Sequence, residues 1–337
     1  MSNSDTVTHL RQVKIVGTGS YLPEKRLTNA DLEKMVDTSD EWIVQRTGMQ
    51  ERRVAAPDET TSTMCMEAAK RALENANMRP EDLDMIIVAT VTPDTVFPST
   101  ACRVQHGIGA REIPSFDLAA ACSGFIFALS MARTQIASGV MNNVLICGGE
   151  VLTRFTDYED RTTCILFGDG AGAAILSPAD DGSVSRILDT HMASNGAECE
   201  MMMLPGGGSL HPPSPEMLAA KQNYIHLNGR AVYKQAVSKI VHLVAESLER
   251  CGLKNEDIDM IIPHQMNARI IESAANRLGI PMEKIFINLN KYGNTSAATI
   301  PIALDEASRQ GVIKRGDLVS LVAFGGGLTW ASALIKW

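Results

Sequence analysis

The feature that most constrains the fold is that the chain repeats itself. "PEDLDMIIVAT" at 80–90 and "NEDIDMIIPHQ" at 255–265 share one D-D-M-I-I spacing. Each follows a stretch with apolar residues at helical spacing, "MEAAKRALENANM" (66–78) and "KIVHLVAESLERCGL" (239–253), and each "MII" run reads as a short buried strand. Downstream the same order of elements recurs in "FDLAAACSGFIFALSMARTQIASGVMNNVLICGGE" and "INLNKYGNTSAATIPIALDEASRQGVIKRGDLVSLVAFGGG": a strand, a turn of small residues, a helix, a glycine in "SGV" or "QGV", and a strand ending in glycines. This order predicts an α/β fold of two internally duplicated halves, residues 1–180 and 181–337, with mostly parallel mixed sheets packed in layers with helices.

Registering Val140 on Val312 places Cys122 on Asn294, and registering the "DMII" segments places His264 on Ala89. Polar residues at matching strand ends would then face one another across the internal dyad. Cys122 sits where a strand hands over to a helix, and unpaired N–H groups with the positive end of the helix dipole there favour the thiolate. The small neighbours Ala119, Ala120, Ala121, Ser123 and Gly124 would let a substrate carbonyl come close to the backbone. A buried inert thiol is the other reading of this cysteine. His264 falls on a strand end in "PHQMNARI", whereas His9, His106, His191, His211, His226 and His242 read as structural or surface residues. Asn294 lies in a Gly-Asn-Thr-Ser turn opening a helix, where an N-cap is the structural alternative. Gly325, Gly326 and Gly327 allow a sharp turn that could aim an N–H into a cavity as an oxyanion donor.

Composition narrows the function. Lys+Arg 31 against Asp+Glu 39 gives a net charge of -8, which disfavours nucleic acid and anionic membranes as broad partners, so any anionic ligand needs a local basic patch. The opening segment lacks a secretory h-region and no apolar run approaches membrane-spanning length, which reads as a cytoplasmic protein. Seven cysteines, with no CxxC and no Cys/His spacing suited to zinc, are expected to be thiols with no metal site. "FGDGAGAA" at 167–174 lacks the Lys-Ser/Thr of a Walker motif and reads as a tight strand turn.

Together, "GTGSYLPE", "TNADLEKMVDTSDEWIVQRTG", "AACSGF", "FGDGAGAA", "PHQMNARI", "YGNTSAA" and "AFGGGLTW" resemble, in family order, the β-ketoacyl-acyl-carrier-protein synthase III family of the thiolase-like superfamily. The resemblance implies a thiolase-like fold and a catalytic set of Cys122, His264 and Asn294. Cys122 would take an acyl group from a short acyl-CoA, while His264 and Asn294 would hold the enolate left by decarboxylation of malonyl carrier protein. It also implies an oxyanion hole from the N–H groups of Cys122 and Gly326, with Phe324 walling off the malonyl carboxylate. Thr38, Trp42, Arg46, Arg161 and Asn267 would bind CoA, a Trp face and Arg planes suiting an adenine and its phosphates; without the resemblance "TSDEW" reads as a capped helix start. Arg269, Arg277 and Lys234 would dock the acidic carrier, and Phe97 would limit primer length across a homodimer interface. Acyl-CoA is substrate, and no cofactor is expected.

Ser123, Ala331 and Asn276 depart from the residues common in the family, leaving carrier affinity and primer preference open. Three rivals remain: a papain-like hydrolase, whose "CGSCW" signature is absent; a thiolase-like enzyme of secondary metabolism using CoA-bound or other substrates; and a non-catalytic scaffold, expected to have lost the nucleophile.

Overall fold

Both "MII" runs are strands, Met85–Ala89 and Met260–Pro263, buried along their whole length. The computed structural model describes residues 10–337, so the readings of the extreme N-terminus and of His9 lie outside it. The two aspartates of the repeated spacing do the same work in each copy. The first caps a short 3-10 turn: Asp82 accepts from the Arg79 N–H at 3.0 Å and Asp257 from the Lys254 N–H at 2.8 Å. The second ties its strand to the neighbour, Asp84 accepting from the Asn143 N–H at 3.0 Å and Asp259 from the Leu318 N–H at 2.7 Å.

Five strands form the first sheet: β1 (Val13–Tyr21), β2 (Met85–Ala89), β3 (Ser115–Leu118), β4 (Val144–Val151) and β5 (Asp169–Pro178), in the order β1-β5-β4-β2-β3. Four form the second: β6 (Arg186–Ser194), β7 (Met260–Pro263), β8 (Leu318–Gly325) and β9 (Thr329–Lys336), in the order β7-β8-β9-β6. Pairs β2/β3, β2/β4 and β7/β8 are parallel, while β1/β5, β4/β5, β8/β9 and β6/β9 are antiparallel. The sheets are therefore mixed, with a larger antiparallel share than the repeat predicted. In each half the closing strand returns along its neighbour without a helical crossover, which only parallel pairing requires. "FGDGAGAA" is not a turn either: it enters β5, and its small residues let a helix lie close. A Cβ on Gly172 would stand 2.7 Å from the Ile302 nitrogen.

The helices α1 (Asp40–Thr47), α2 (Thr61–Ala76), α3 (Gly124–Ala137), α4 (Gly229–Arg250), α5 (Ala268–Leu278) and α6 (Thr299–Arg309) complete the layers. One apolar cluster joins Phe125 and Leu129 of α3 and Ile300 and Leu304 of α6 to Ile87 and Ile146 of the first sheet and Ile262 and Leu321 of the second. Strand alternation sends Ile86 and Val88 the other way, onto Met64 and Ala68 of α2. In the second sheet Ile261 and Val322 pack with Val237 and Ile240 of α4 and Ile271 of α5. The result is helices, sheet, central helices, sheet, helices. The two central helices correspond, each preceded by a 3-10 turn whose first residue has positive φ, Ala121–Ser123 and Ser296–Ala298, and closed by a glycine at positive φ, Gly139 and Gly311. These turns match Cys122 with Ala297, so the expected registration of Cys122 on Asn294 is not found, Asn294 lying just before the second turn.

Candidate active site

Cys122 lies in a single 3-10 turn (Ala121–Ser123) between β3 and α3, 5% exposed. Burial pushes its thiol up to about 12, against the lowering effect of Ser296 and of its own backbone N–H. The expected drift toward thiolate is thus not found. Taking a thiolate out of water costs more than the start of one helix returns. Ala121, directly before it, has φ 45, a left-handed conformation that costs energy in a residue with a Cβ and turns the cysteine toward the cavity.

That cavity, about 290 Å³, is lined by Cys122, Gly326, Ser296, Phe167, Leu152 and Met203 among others. Gly325 backs directly on the cysteine: a Cβ there would sit 2.7 Å from the Cys122 nitrogen. Thr329 fastens both walls, its hydroxyl lying 2.9 Å from the Ala120 carbonyl and 3.1 Å from that of Gly326. Cys122 and Gly326, the two residues expected to supply the oxyanion-hole N–H groups, thus both line this cavity.

Asn294 and His264 do not line that cavity but are joined by hydrogen bonds to Ser296, which does. The Asn294 Oδ1 accepts the Ser296 N–H at 2.8 Å, which leaves the amide NH2 to donate; the bond closes a local turn and caps no helix, the N-cap positions being Thr295 and Ala298. His264 follows β7, 1% exposed, its own N–H on the Val322 carbonyl at 2.8 Å. Its Nδ1 lies 2.6 Å from the Thr299 hydroxyl, and that hydroxyl lies 3.0 Å from the Ser296 carbonyl. Burial lowers His264 to about 3, so the ring is neutral at physiological pH. A neutral imidazole and an amide can both donate to a developing oxyanion without bringing a full charge. Phe324, on β8, is 1% exposed and packed in the apolar cluster of the second sheet rather than along the cavity. Phe97 is 84% exposed and does not line the cavity of its own chain.

The residues expected to bind the nucleotide gather at α1. Trp42 stands between two guanidinium groups, with the carbon of Arg46 4.6 Å and that of Arg161 4.7 Å from its ring. Arg161 also pairs with Asp37 at 3.1 Å. The Thr38 hydroxyl is buried nearby without a protein partner among the described residues. Ser39 caps α1 by accepting the Trp42 N–H, as the capped-helix reading expected. Asn267 bridges the site to α5, donating to the Arg46 carbonyl at 3.0 Å and accepting the Arg269 N–H at 2.9 Å.

Arg46 and Arg269 line one groove together with Arg230, a residue the sequence did not flag. Lys234 and Arg277 line an adjoining one, and Tyr233 borders both. The docking set therefore splits between two neighbouring hollows on α4 and α5. Sequence reasoning also missed Ser296, Thr299 and Thr329, although all three stand in quoted motifs, because hydroxyls in small-residue turns read as caps. It missed Glu150 as well, which is wholly buried and held by Thr90, Val91 and Thr92 beneath the cavity floor.

With Cys122 in the turn that opens one central helix and Asn294 just before the turn that opens the other, the fold is thiolase-like and the class is that of a condensing acyltransferase. The chain belongs to the β-ketoacyl-[acyl-carrier-protein] synthase III family. The family domains described as 3-oxoacyl-[acyl-carrier-protein] synthase III and its C-terminal part match residues 116–196 and 248–337. A β-ketoacyl-[acyl-carrier-protein] synthase III from Caldanaerobacter subterraneus subsp. tengcongensis is 55% identical over 96% of this chain and 97% of its own. The crystal structure of 3-oxoacyl-[acyl-carrier-protein] synthase III from Aquifex aeolicus VF5 is 49% identical, with TM-score 0.89 over 96% of this chain and all of that one. The priming β-ketosynthase of the R1128 polyketide biosynthetic pathway is 33% identical, with TM-score 0.90 over 98% of both chains.

Proposed function

We infer that the chain initiates fatty acid synthesis by condensing a short acyl-CoA, acetyl-CoA foremost, with malonyl-acyl-carrier protein. The products are 3-oxoacyl-acyl-carrier protein, CO2 and CoA. The observation that carries this reading is that Ser296, which lines the cavity with Cys122, is hydrogen-bonded directly to Asn294 and, through the Thr299 hydroxyl, to His264. Cys122 attacks the thioester carbonyl and its proton leaves with the CoA sulfur, which suits a thiol that burial keeps protonated. The malonyl C–C bond then breaks, CO2 departs, and the electron pair passes into an enolate whose oxygen accepts from Asn294 and His264. The enolate carbon attacks the acyl-cysteine, and the sulfur leaves as thiolate to be reprotonated. None of these steps calls on a cofactor.

Trp42 and its two arginines would take the adenine, the hollows at Arg269, Lys234 and Arg277 the acidic carrier. A homodimer in the cytoplasm is part of the same reading. Val96 and Phe97, 89% and 84% exposed, form an apolar pair that a second copy would cover, Phe97 then bounding the partner's acyl cavity. The described residues contain no helix long and apolar enough to cross a membrane.

A second reading, priming of a secondary pathway, draws on the likeness to the polyketide enzyme. Turnover of acetyl-CoA to octanoyl-CoA primers, each with malonyl carrier protein and with malonyl-CoA, separates them. The first reading expects fast turnover only with the short primer and the carrier-bound extender. Efficient use of octanoyl-CoA or of malonyl-CoA would overturn it.

A further inference from the structure

Decarboxylation asks one thing of His264 that neutrality alone does not supply: the proton must be on the nitrogen that faces the substrate. A neutral imidazole carries its single N–H on either Nδ1 or Nε2, and the group bonded to one nitrogen decides which. In His264 the Nδ1 is committed to the Thr299 hydroxyl at 2.6 Å, and no protein group meets Nε2 among the described residues. The hydroxyl has one proton and two neighbours, Nδ1 and the Ser296 carbonyl at 3.0 Å. If the proton goes to the carbonyl, Nδ1 must carry the hydrogen and Nε2 presents a lone pair, which would repel an enolate oxygen. If it goes to Nδ1, the hydrogen sits on Nε2, where it can donate.

The Ser296 carbonyl does not need the hydroxyl. It already accepts the backbone N–H of Thr299, which closes the 3-10 turn Ser296–Ala298. The Nδ1 contact is also the shorter of the two, and a ring nitrogen this deeply buried has no water to replace a lost donor. We propose that Thr299 is a positioning residue that donates its hydroxyl proton to Nδ1 and so holds His264 as the Nε2–H tautomer, the form able to donate to the enolate. The placement has a structural cause: His264 directly follows β7, Thr299 begins α6, and the Ser296 turn that leads into α6 lines the cavity with Cys122. Thr299 touches no reacting atom. It acts only through the ring, and the inference rests on the donor role given to His264 above.

The test uses the full-length enzyme, labelled with 15N at histidine, in wild type, Thr299→Val, which keeps the shape but not the hydroxyl, and Thr299→Ser, which keeps the hydroxyl. His264→Ala identifies the resonance by its loss. The proposal expects the Nε2–H pattern in wild type and in Thr299→Ser, and loss of that fixed tautomer in Thr299→Val. It further expects Thr299→Val to slow malonyl-carrier decarboxylation by about tenfold to a hundredfold, to leave acetylation of Cys122 by acetyl-CoA within about twofold, and Thr299→Ser to restore the rate. An Nδ1–H ring in wild type would overturn it, as would equal loss of both half-reactions in Thr299→Val or failure of a folded Thr299→Ser to recover. If His264→Ala itself left decarboxylation untouched, the donor role would fail, while the tautomer assignment would still be decided by the spectrum.

Discussion

A Cβ placed on Gly325 would come within 2.7 Å of the Cys122 backbone nitrogen and 3.0 Å of its Cβ. The glycine run at the end of β8 is therefore a seat for the nucleophile before it is a turn. Gly325→Ala must push the cysteine N–H away from the oxyanion position. We expect acetylation of Cys122 to fall at least about tenfold and stability by about 1–3 kcal/mol. Stopped-flow acylation and chemical unfolding check both, and an alanine variant acylating at the wild-type rate would contradict the account.

The stack of Arg46, Trp42 and Arg161 is expected to open around a nucleobase. Trp42→Ala should raise KM for acetyl-CoA about tenfold, since it removes the ring that both guanidiniums need, and leave decarboxylation of malonyl carrier protein unchanged. Steady-state kinetics with each substrate varied in turn separates the two effects. Equal loss toward both would mean that α1 merely unfolds.

Charge reversal at Arg277 or Lys234 should raise KM for the carrier several-fold without altering acylation from acetyl-CoA. The defect should shrink as salt is raised, because wild-type steering is itself screened over about 10 Å at 0.1 M. A salt-independent defect, or one shared by CoA, would place docking elsewhere.

Two buried groups make stability depend on pH in opposite senses. Burial pushes the Glu150 carboxyl from 4.5 up to about 7. The folded protein keeps a proton that the unfolded chain releases across that window, so this contribution is present below 4.5 and is lost as pH rises through 7, at most about 3 kcal/mol. Burial lowers His264 from 6.5 to about 3, so below 6.5 the unfolded chain takes up a proton that the fold refuses, and stability falls as pH falls. In urea titrations the stability of wild type relative to Glu150→Gln should decline between about pH 5 and about pH 8. A difference independent of pH would show that Glu150 titrates normally.

Much of this was legible because duplication writes itself twice. The D-D-M-I-I spacing carried the strands through to the folded chain, whereas the registration of Cys122 on Asn294, taken from Val140 on Val312, slips by three residues because α6 has 11 residues against 14 in α3. What stayed hidden was set by depth rather than pattern. Whether Cys122 is thiolate depends on how much water surrounds it, which neighbouring alanines and a helix start do not reveal. Glu150 sits at the end of an apolar strand like any solvent-facing residue, and only the fold buries it beneath the cavity. Antiparallel returns were masked because the glycines Gly148 and Gly149, which read as the end of a strand, lie within β4. Arg230 lies on an exposed helix start, and nothing in its local spacing separates it from a solvated charge.

The central claim is a division of labour: Cys122 carries the acyl group, while His264 and Asn294 act on the malonyl unit. Intact-protein mass spectrometry after acetyl-CoA, with the adduct mapped by peptide, measures the first half directly. Release of CO2 from malonyl carrier protein in the same samples measures the second. The account predicts one acetyl group on Cys122 in wild type, His264→Ala and Asn294→Ala, none in Cys122→Ala, and CO2 release lost only in the histidine and asparagine variants. An acetyl group on another residue, or histidine and asparagine variants that release CO2 normally yet fail to acylate, would contradict it.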